Sequence, residues 1–231
     1  MTDLTYSEEF KYTSTNPYHD KLEEFKGFVY RDHEAEGLKG KWNSEVFERE
    51  APLCLEIGTG YGHFMMEYSE KNPEVNFIGL DYRFKRSFSL AKKLSTHPTK
   101  NFKYLRAKGE RVHFLFNESE LDRMFYFFPD PWPKARHQKK RLFQAAFLDQ
   151  AYKVLKPGGK IFIKTDHDGY ADWMIEVMDN HEQFEVVMAT KDLRAEHPEH
   201  FLAAFTTKFE KIFLKQGIKI KAFELVSKKK D

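Results

Sequence analysis

From Pro52 onward the chain repeats one pattern: a short apolar run, a turn, then an amphipathic stretch. The first run is Leu53-Cys54-Leu55-Glu56-Ile57, and a helical pattern with Phe64, Met65, Met66 and Tyr68 follows it. The second run covers 76–81 and leads into a basic amphipathic stretch over 84–94. A third covers 102–105. The fourth, 124–128, runs straight into Pro129-Asp130-Pro131, and a helical pattern covers 139–155. There Pro157-Gly158-Gly159 reads as a helix stop, because glycine supplies a left-handed residue and proline cannot continue the helix. The fifth run is 160–166, with a helix from Asp168 to about residue 180. Apolar runs this short, joined by helices, predict a mostly parallel sheet covered on both faces. The last third differs. Segments 184–188, 208–214 and 218–223 read as strands, with Gln216-Gly217 as a hairpin-type turn, so the sheet is expected to end in an antiparallel edge. The fold class is therefore α/β.

The rest of the chain frames this unit. Residues 1–16 lack periodicity and read as a mobile arm. Residues 19–30 carry Leu22, Phe25, Phe28 and Val29 at helical spacing, and 31–50 read as an irregular cover. The expected division is 1–40 as arm and helix, 41–226 as the main domain, and 227–231 as a basic tail in which Lys228-Lys229-Lys230 is solvated. With 231 residues, one α/β domain with extensions fits better than two. Lys and Arg number 38 against 36 Asp and Glu, so self-repulsion does not drive disorder. A lone cysteine, Cys54, excludes an internal disulfide and a multi-thiolate zinc site, and fits a reducing compartment. No apolar run is long enough to span a bilayer, and no secretory leader is visible, so the cytoplasm is expected. His197 and His200 stand three apart in an expected loop and are not read as metal ligands; no metal is expected.

Two clusters point to chemistry. Glu56-Ile57-Gly58-Thr59-Gly60-Tyr61-Gly62 joins the first strand to the first helix. Its glycines let the backbone turn tightly and approach a ligand, and Asp81 at the end of the second strand can accept both hydroxyls of a ribose. The pair of acids around the glycine string predicts nucleoside binding. The second cluster is Phe127-Phe128-Pro129-Asp130-Pro131-Trp132-Pro133-Lys134, with Asp130 held on a stiff backbone where open parallel sheets bind ligands. Five of the next eight residues, 134–141, are Lys or Arg. In a chain of balanced charge, such a run at a site edge predicts contact with nucleic-acid phosphates. Read alone, Thr165-Asp166 is an N-cap and Thr206 through Glu210 a strand start.

The G-x-G-x-G spacing, with His63 where a dinucleotide fingerprint has its last glycine, resembles the first motif of class I S-adenosylmethionine-dependent methyltransferases. In one order, the Glu56 motif, the Phe128 to His137 run, Thr165-Asp166 and Thr207-Lys208-Phe209-Glu210 resemble the bacterial tRNA (guanine-N7-)-methyltransferase family over about residues 40–225. That resemblance implies a Rossmann-like, mostly parallel seven-stranded sheet with an antiparallel C-terminal edge and helices on both faces. It implies methyl transfer from S-adenosylmethionine to guanine N7 of tRNA, at guanosine 46 of the variable loop. It implies cofactor contacts from Glu56, Gly58, Gly60, Asp81 and Asp130, with Asp130 also catalytic. Lys134, Asp166, Thr207, Lys208, Phe209 and Glu210 match substrate-contacting positions. One position departs. Where the family has an acidic or amide residue after the third strand, this chain has Lys108, which cannot accept from an adenine amino group. Glu110 or backbone atoms are left for that contact. Monomer and homodimer are both compatible with the sequence.

Three other readings are weaker. A nicotinamide oxidoreductase would want glycine where His63 stands. A non-catalytic RNA-binding module would not need Glu56, Asp81 and Asp130 together. A methyltransferase for a small molecule or protein would not need the basic run.

Overall fold

A computed structural model describes residues 17–98 and 100–230. The expected arm over 1–16 lies outside the described residues. In chain order the strands are β1 (Val29–Arg31), β2 (Leu53–Ile57), β3 (Asn76–Leu80), β4 (Phe102–Arg106), β5 (Leu121–Phe127), β6 (Leu155–Thr165), β7 (Phe184–Thr190) and β8 (Lys221–Ser227). The helices are α1 (Pro17–Lys21), α2 (Asp32–Glu36), α3 (His63–Lys71), α4 (Phe84–Ser95), α5 (Val112–Leu115), α6 (Ala145–Val154), α7 (Asp168–Asp179), α8 (Leu193–Glu196), α9 (Phe201–Ala204) and α10 (Lys208–Lys215).

One eight-stranded sheet forms in the order β1-β4-β3-β2-β5-β6-β8-β7. All pairings are parallel except β8 with β6 and with β7. After edge strand β1 the chain enters the middle at β2, winds one way to β3 and β4, then returns to β5 on the other side of β2. Loops leaving the carboxyl ends of β2 and β5 therefore part at a topological switch point, where open α/β sheets leave a crevice. β2 is buried along its whole length, which its apolar sequence allows on both faces. Alternate side chains feed two cores. Leu53, Leu55 and Ile57 join a mixed, mostly aliphatic cluster under α5, α6 and α7. The other face is aromatic: Phe64, Tyr68, Phe77, Phe125, Phe162 and Phe205 pack edge-on and stacked, with Phe77 to Phe125 at 5.7 Å and Phe125 to Phe162 at 5.4 Å.

Several expectations are corrected. The expected helix over 19–30 is split: α1 and a 3-10 turn end near Gly27 (φ +87°), and Val29, Tyr30 and Arg31 add an eighth, edge strand to β4. The irregular cover over 31–50 contains α2 and a π-helix at Trp42–Phe47, and Trp42 is fully buried with Nε1 donating to the Leu115 carbonyl. Helix α6 starts at Ala145, because 135–140 forms a 3-10 turn. Pro157-Gly158-Gly159 does not cap it. Leu155 is already extended, and Gly158 (φ +67°) bends the start of β6, where the register against β5 shifts. The expected strand over 208–214 is α10, and Gln216-Gly217 closes that helix, not a hairpin. Lys229 is no solvated tail residue: its Nζ donates to Ser119 and to the Lys153 and Leu155 carbonyls.

Candidate active site

The turn after β2 is built by its glycines. Gly58 (φ +82°) sits where an added Cβ would project into open groove space, and Gly62 (φ +69°) where one would stand 2.7 Å from Leu90 of α4. The first position keeps the groove open and the second lets α4 close on the turn. Gly58 and Thr59 both donate N–H to the Leu80 carbonyl, which ties the turn to the end of β3.

Asp81 follows β3 and is buried. Its Oδ2 accepts from the Gly60 N–H and its Oδ1 from the Arg83 N–H, each at 2.9 Å. Each oxygen keeps a lone pair for a further donor. Glu56 lies deeper. Its Oε2 accepts from the Thr59 hydroxyl at 2.5 Å, and the Met65 N–H at the start of α3 also stabilises its charge. Burial outweighs both and pushes its carboxyl up to about 7, with the neighbouring Asp81 charge adding to the rise.

A groove of about 510 Å³ runs over this turn, lined by Gly58, Asp81, Tyr82, Lys108, Glu110 and the loop after β5, including Asp130 and Trp132. That volume suits a nucleoside-sized ligand. Asp130 is exposed, and Arg83 Nη2 stands 3.6 Å from its carboxylate. The loop that carries it is strained on both sides: Phe128 (φ +49°) and Trp132 (φ +43°) are left-handed without being glycine. Two anchors hold it there. Phe128 N–H donates to the Lys164 carbonyl, and Arg141 Nε donates to the Pro131 carbonyl. Arg141 is buried, 4.9 Å from the Tyr170 ring and 5.1 Å from that of Trp173. So the last member of the basic run supports the loop from inside, while Lys134, Arg136, Lys139 and Lys140 are exposed.

The structure thus brings Gly58, Asp81 and Asp130 to one groove, with Gly60 bonded to Asp81. Lys108 lines the same groove, its Nζ 5.5 Å from the Tyr82 ring, and Glu110 lines it too. The C-terminal candidates stand apart. Asp166 is half-buried; its carbonyl accepts from Lys221, and its carboxylate makes no hydrogen bond or ion pair among the described residues. The N-cap of α7 is His167, not Asp166. Thr207 caps α10, accepting from the Glu210 N–H, so this motif starts a helix, not a strand. Thr207 and Lys208 line a neighbouring groove and Phe209 is exposed. Glu210 is fully buried, 2.8 Å from Lys164 and 2.5 Å from Arg194. Sequence reading missed Arg83, Lys164 and Arg194, and placed Arg141 with the phosphate-contacting run although it is buried under the loop. Each works through a partner distant in the chain, so no local pattern marks it.

A protein-family model described as "Putative methyltransferase" matches residues 50–223. A tRNA (guanine-N(7)-)-methyltransferase of Exiguobacterium sp. is 32% identical over 215 residues, which cover 93% of this chain and 97% of that one. The chain belongs to the bacterial tRNA (guanine-N7-)-methyltransferase family. A relative of the same name from Lactiplantibacillus plantarum is 38% identical over 143 residues, 62% of this family member and 66% of the relative. A bifunctional glycosyltransferase/methyltransferase from Fusobacterium nucleatum is 35% identical over 211 residues. This family member spans 90% of its own length there but only 32% of the bifunctional protein. Among solved structures, the 16S rRNA methyltransferase KamB superposes with a TM-score of 0.57 at 17% identity, over 85% of this chain and 93% of that one. That likeness establishes the class I methyltransferase fold. Among the described residues no helix is long and apolar enough to cross a membrane.

Proposed function

We propose that this protein transfers a methyl group from S-adenosylmethionine to N7 of guanine in tRNA, at guanosine 46 of the variable loop, in the cytoplasm. The observation that carries the reading is that Asp130, on its strained and doubly anchored loop, lines the same groove as Asp81 and Gly58. The names of the family's members supply the substrate class.

The groove fits the cofactor. Gly58 leaves space that any side chain would fill, and Asp81 has lone pairs free for the ribose hydroxyls. Glu56 is buried beneath the turn, outside the groove lining, and would meet the methionine ammonium only from there. Glu110 or backbone atoms near Lys108 would take the adenine edge. Bound there, S-adenosylmethionine supplies an electrophilic methyl group on a cationic sulfur.

Guanine N7 carries an in-plane lone pair, so no proton has to leave before it reacts and the protein needs no general base. The base gains positive charge as it is methylated. The Asp130 carboxylate, fixed by its loop before the reaction, stabilises that charge without reorganising. It can also accept from the guanine N1–H and exocyclic amine, which orients the ring. In A-form RNA, N7 lies in a narrow, deep major groove, so the target base must come from a loop or tertiary contact. The exposed members of the 134–140 run would hold the backbone around it.

Transfer of labelled methyl to bulk unmethylated tRNA, followed by nucleoside analysis, tests the whole reading. A 7-methylguanosine product is expected, and Asp130→Ala should lower kcat by at least ~100-fold. Because the Asp130 side chain is 70% exposed, its Tm should hold. Cofactor binding without transfer to tRNA would rule out the substrate. An Asp130→Ala rate within a few-fold of wild type would rule out the role of the carboxylate.

A further inference from the structure

A second groove, about 410 Å³, opens between the start of α3 and α10. It is lined by His63 from α3, Thr207 at the α10 N-cap, and Lys208 and Lys211 on the first turns of α10. It shares no lining residue with the first groove, yet the two adjoin. His63 directly follows the glycine turn, and Phe128 of the first groove packs on Phe213 of α10 at 5.6 Å.

Positive charge collects here. Lys93 of α4 stands near enough that, after burial, its charge and that of Lys208 lower the His63 pKa. Lys93, Lys208 and Lys211 are exposed and form no ion pair among the described residues. Elsewhere some lysines, such as Lys41, Lys156, Lys160 and Lys191, meet a carboxylate, and others, such as Lys92, Lys139 and Lys215, meet none among the described residues. The carboxylate that lines this groove, Glu67, is engaged 2.7 Å away by Lys71. Lys208 and Lys211 line the concavity without a carboxylate partner among the described residues, and Glu67 is already engaged, so the groove carries net positive charge. Helix α10 also exposes Phe209 and Ile212, at 55% and 43%, beside Lys208 and Lys211. Side-chain cations that can meet backbone phosphates, next to an exposed aromatic ring, are the combination that holds single-stranded nucleic acid.

We propose that this groove is a second phosphate anchor for the substrate RNA, in which His63, Lys93, Lys208 and Lys211 receive one or two backbone phosphates. It rests on the tRNA reading above and adds a surface separate from the 134–140 run. Two anchors on different elements fix where a strand crosses the catalytic groove, whereas one would leave the strand free to pivot.

The test is binding of an unmethylated tRNA transcript, measured by anisotropy across a salt series. The proteins are wild type, Lys93→Ala/Lys211→Ala and Lys134→Ala/Lys139→Ala. Each phosphate contact contributes about 0.7 to 0.9 to the log–log salt slope. The Lys93→Ala/Lys211→Ala variant should lose on the order of one to two units of slope and bind roughly tenfold more weakly at ~0.1 M salt. Its Tm and S-adenosylmethionine affinity should hold, since both side chains are exposed and neither lines the first groove. A wild-type slope in that variant, with a reduced slope in Lys134→Ala/Lys139→Ala, would overturn the second anchor and leave the tRNA reading standing. A wild-type protein that shows no salt-dependent tRNA binding would overturn both.

Discussion

Burial holds the Glu56 carboxyl at about 7, so the charge under the glycine turn changes across ordinary assay conditions. A cationic methionine ammonium would require the ionised form. Below pH 7 a proton must first be expelled, so cofactor affinity should fall about tenfold per pH unit. Titration of S-adenosylmethionine binding from pH 5.5 to 8 checks this, and Glu56→Gln should flatten the profile as well as weaken it. Stability runs the other way. A carboxyl raised in the folded state favours folding below its unfolded value of 4.5, and that contribution is lost as pH rises through about 7. Above pH 8 the buried charge costs about 3 kcal/mol. Glu56→Gln, which keeps an acceptor for Thr59 and Met65, should therefore raise Tm at pH 8 and leave it nearly unchanged at pH 4.5. Cys54 has no comparable role; burial pushes its thiol up to about 12, which leaves it inert.

The Lys164–Glu210 pair, fully buried, and the partly exposed Arg194 join three elements: the end of β6, the first turn of α10, and α8. Lys164 also donates to the Phe205 carbonyl, and Arg194 to Thr206 and the Ala203 carbonyl, so the approach to α10 is fixed at both ends. Removing one member strands a charge. Lys164→Met should cost about 3–5 kcal/mol and lower Tm by roughly 10 °C, read by thermal unfolding. Adding Glu210→Leu should return part of that loss. The same helix shows where sequence reading stops. Residues 208–214 admit a two-residue alternation through Phe209, Lys211 and Phe213, and a helical period through Phe209, Ile212 and Phe213. The signal that separates them was present: Thr207 followed three residues later by Glu210 is a helix start. The ends of β2, β3 and β5, near Glu56, Asp81 and Asp130, were legible because polar residues stand where an apolar run stops. Edge strand β1 was not, since three residues beside a helical pattern carry too little periodicity. Gly158 was misread because a left-handed glycine bends a strand as readily as it ends a helix.

At the scale of the whole molecule, the N-terminal segment is part of the fold and does not merely precede it. Asp32 is fully buried and holds Arg111 Nε at 2.9 Å, Arg111 also meets Glu36, and β1 completes the sheet against β4. A chain beginning at Lys41 would deprive the buried Arg111 of both acids, at about 3–5 kcal/mol, and uncover the edge of β4. Such a truncation should be recovered mostly insoluble or with a markedly lower Tm. The chain's three tryptophans divide the molecule by environment. Trp42 is sealed in the core against Tyr30 and Phe116, and Trp173 is half-covered, donating to the Phe143 carbonyl. Trp132 lines the groove over the glycine turn, with Lys140 4.7 Å above its ring. Replacing Trp42 and Trp173 by phenylalanine would leave emission from the groove alone. The protein would then carry its own optical gauge of occupancy, brightening or dimming as the groove fills, with no dye attached.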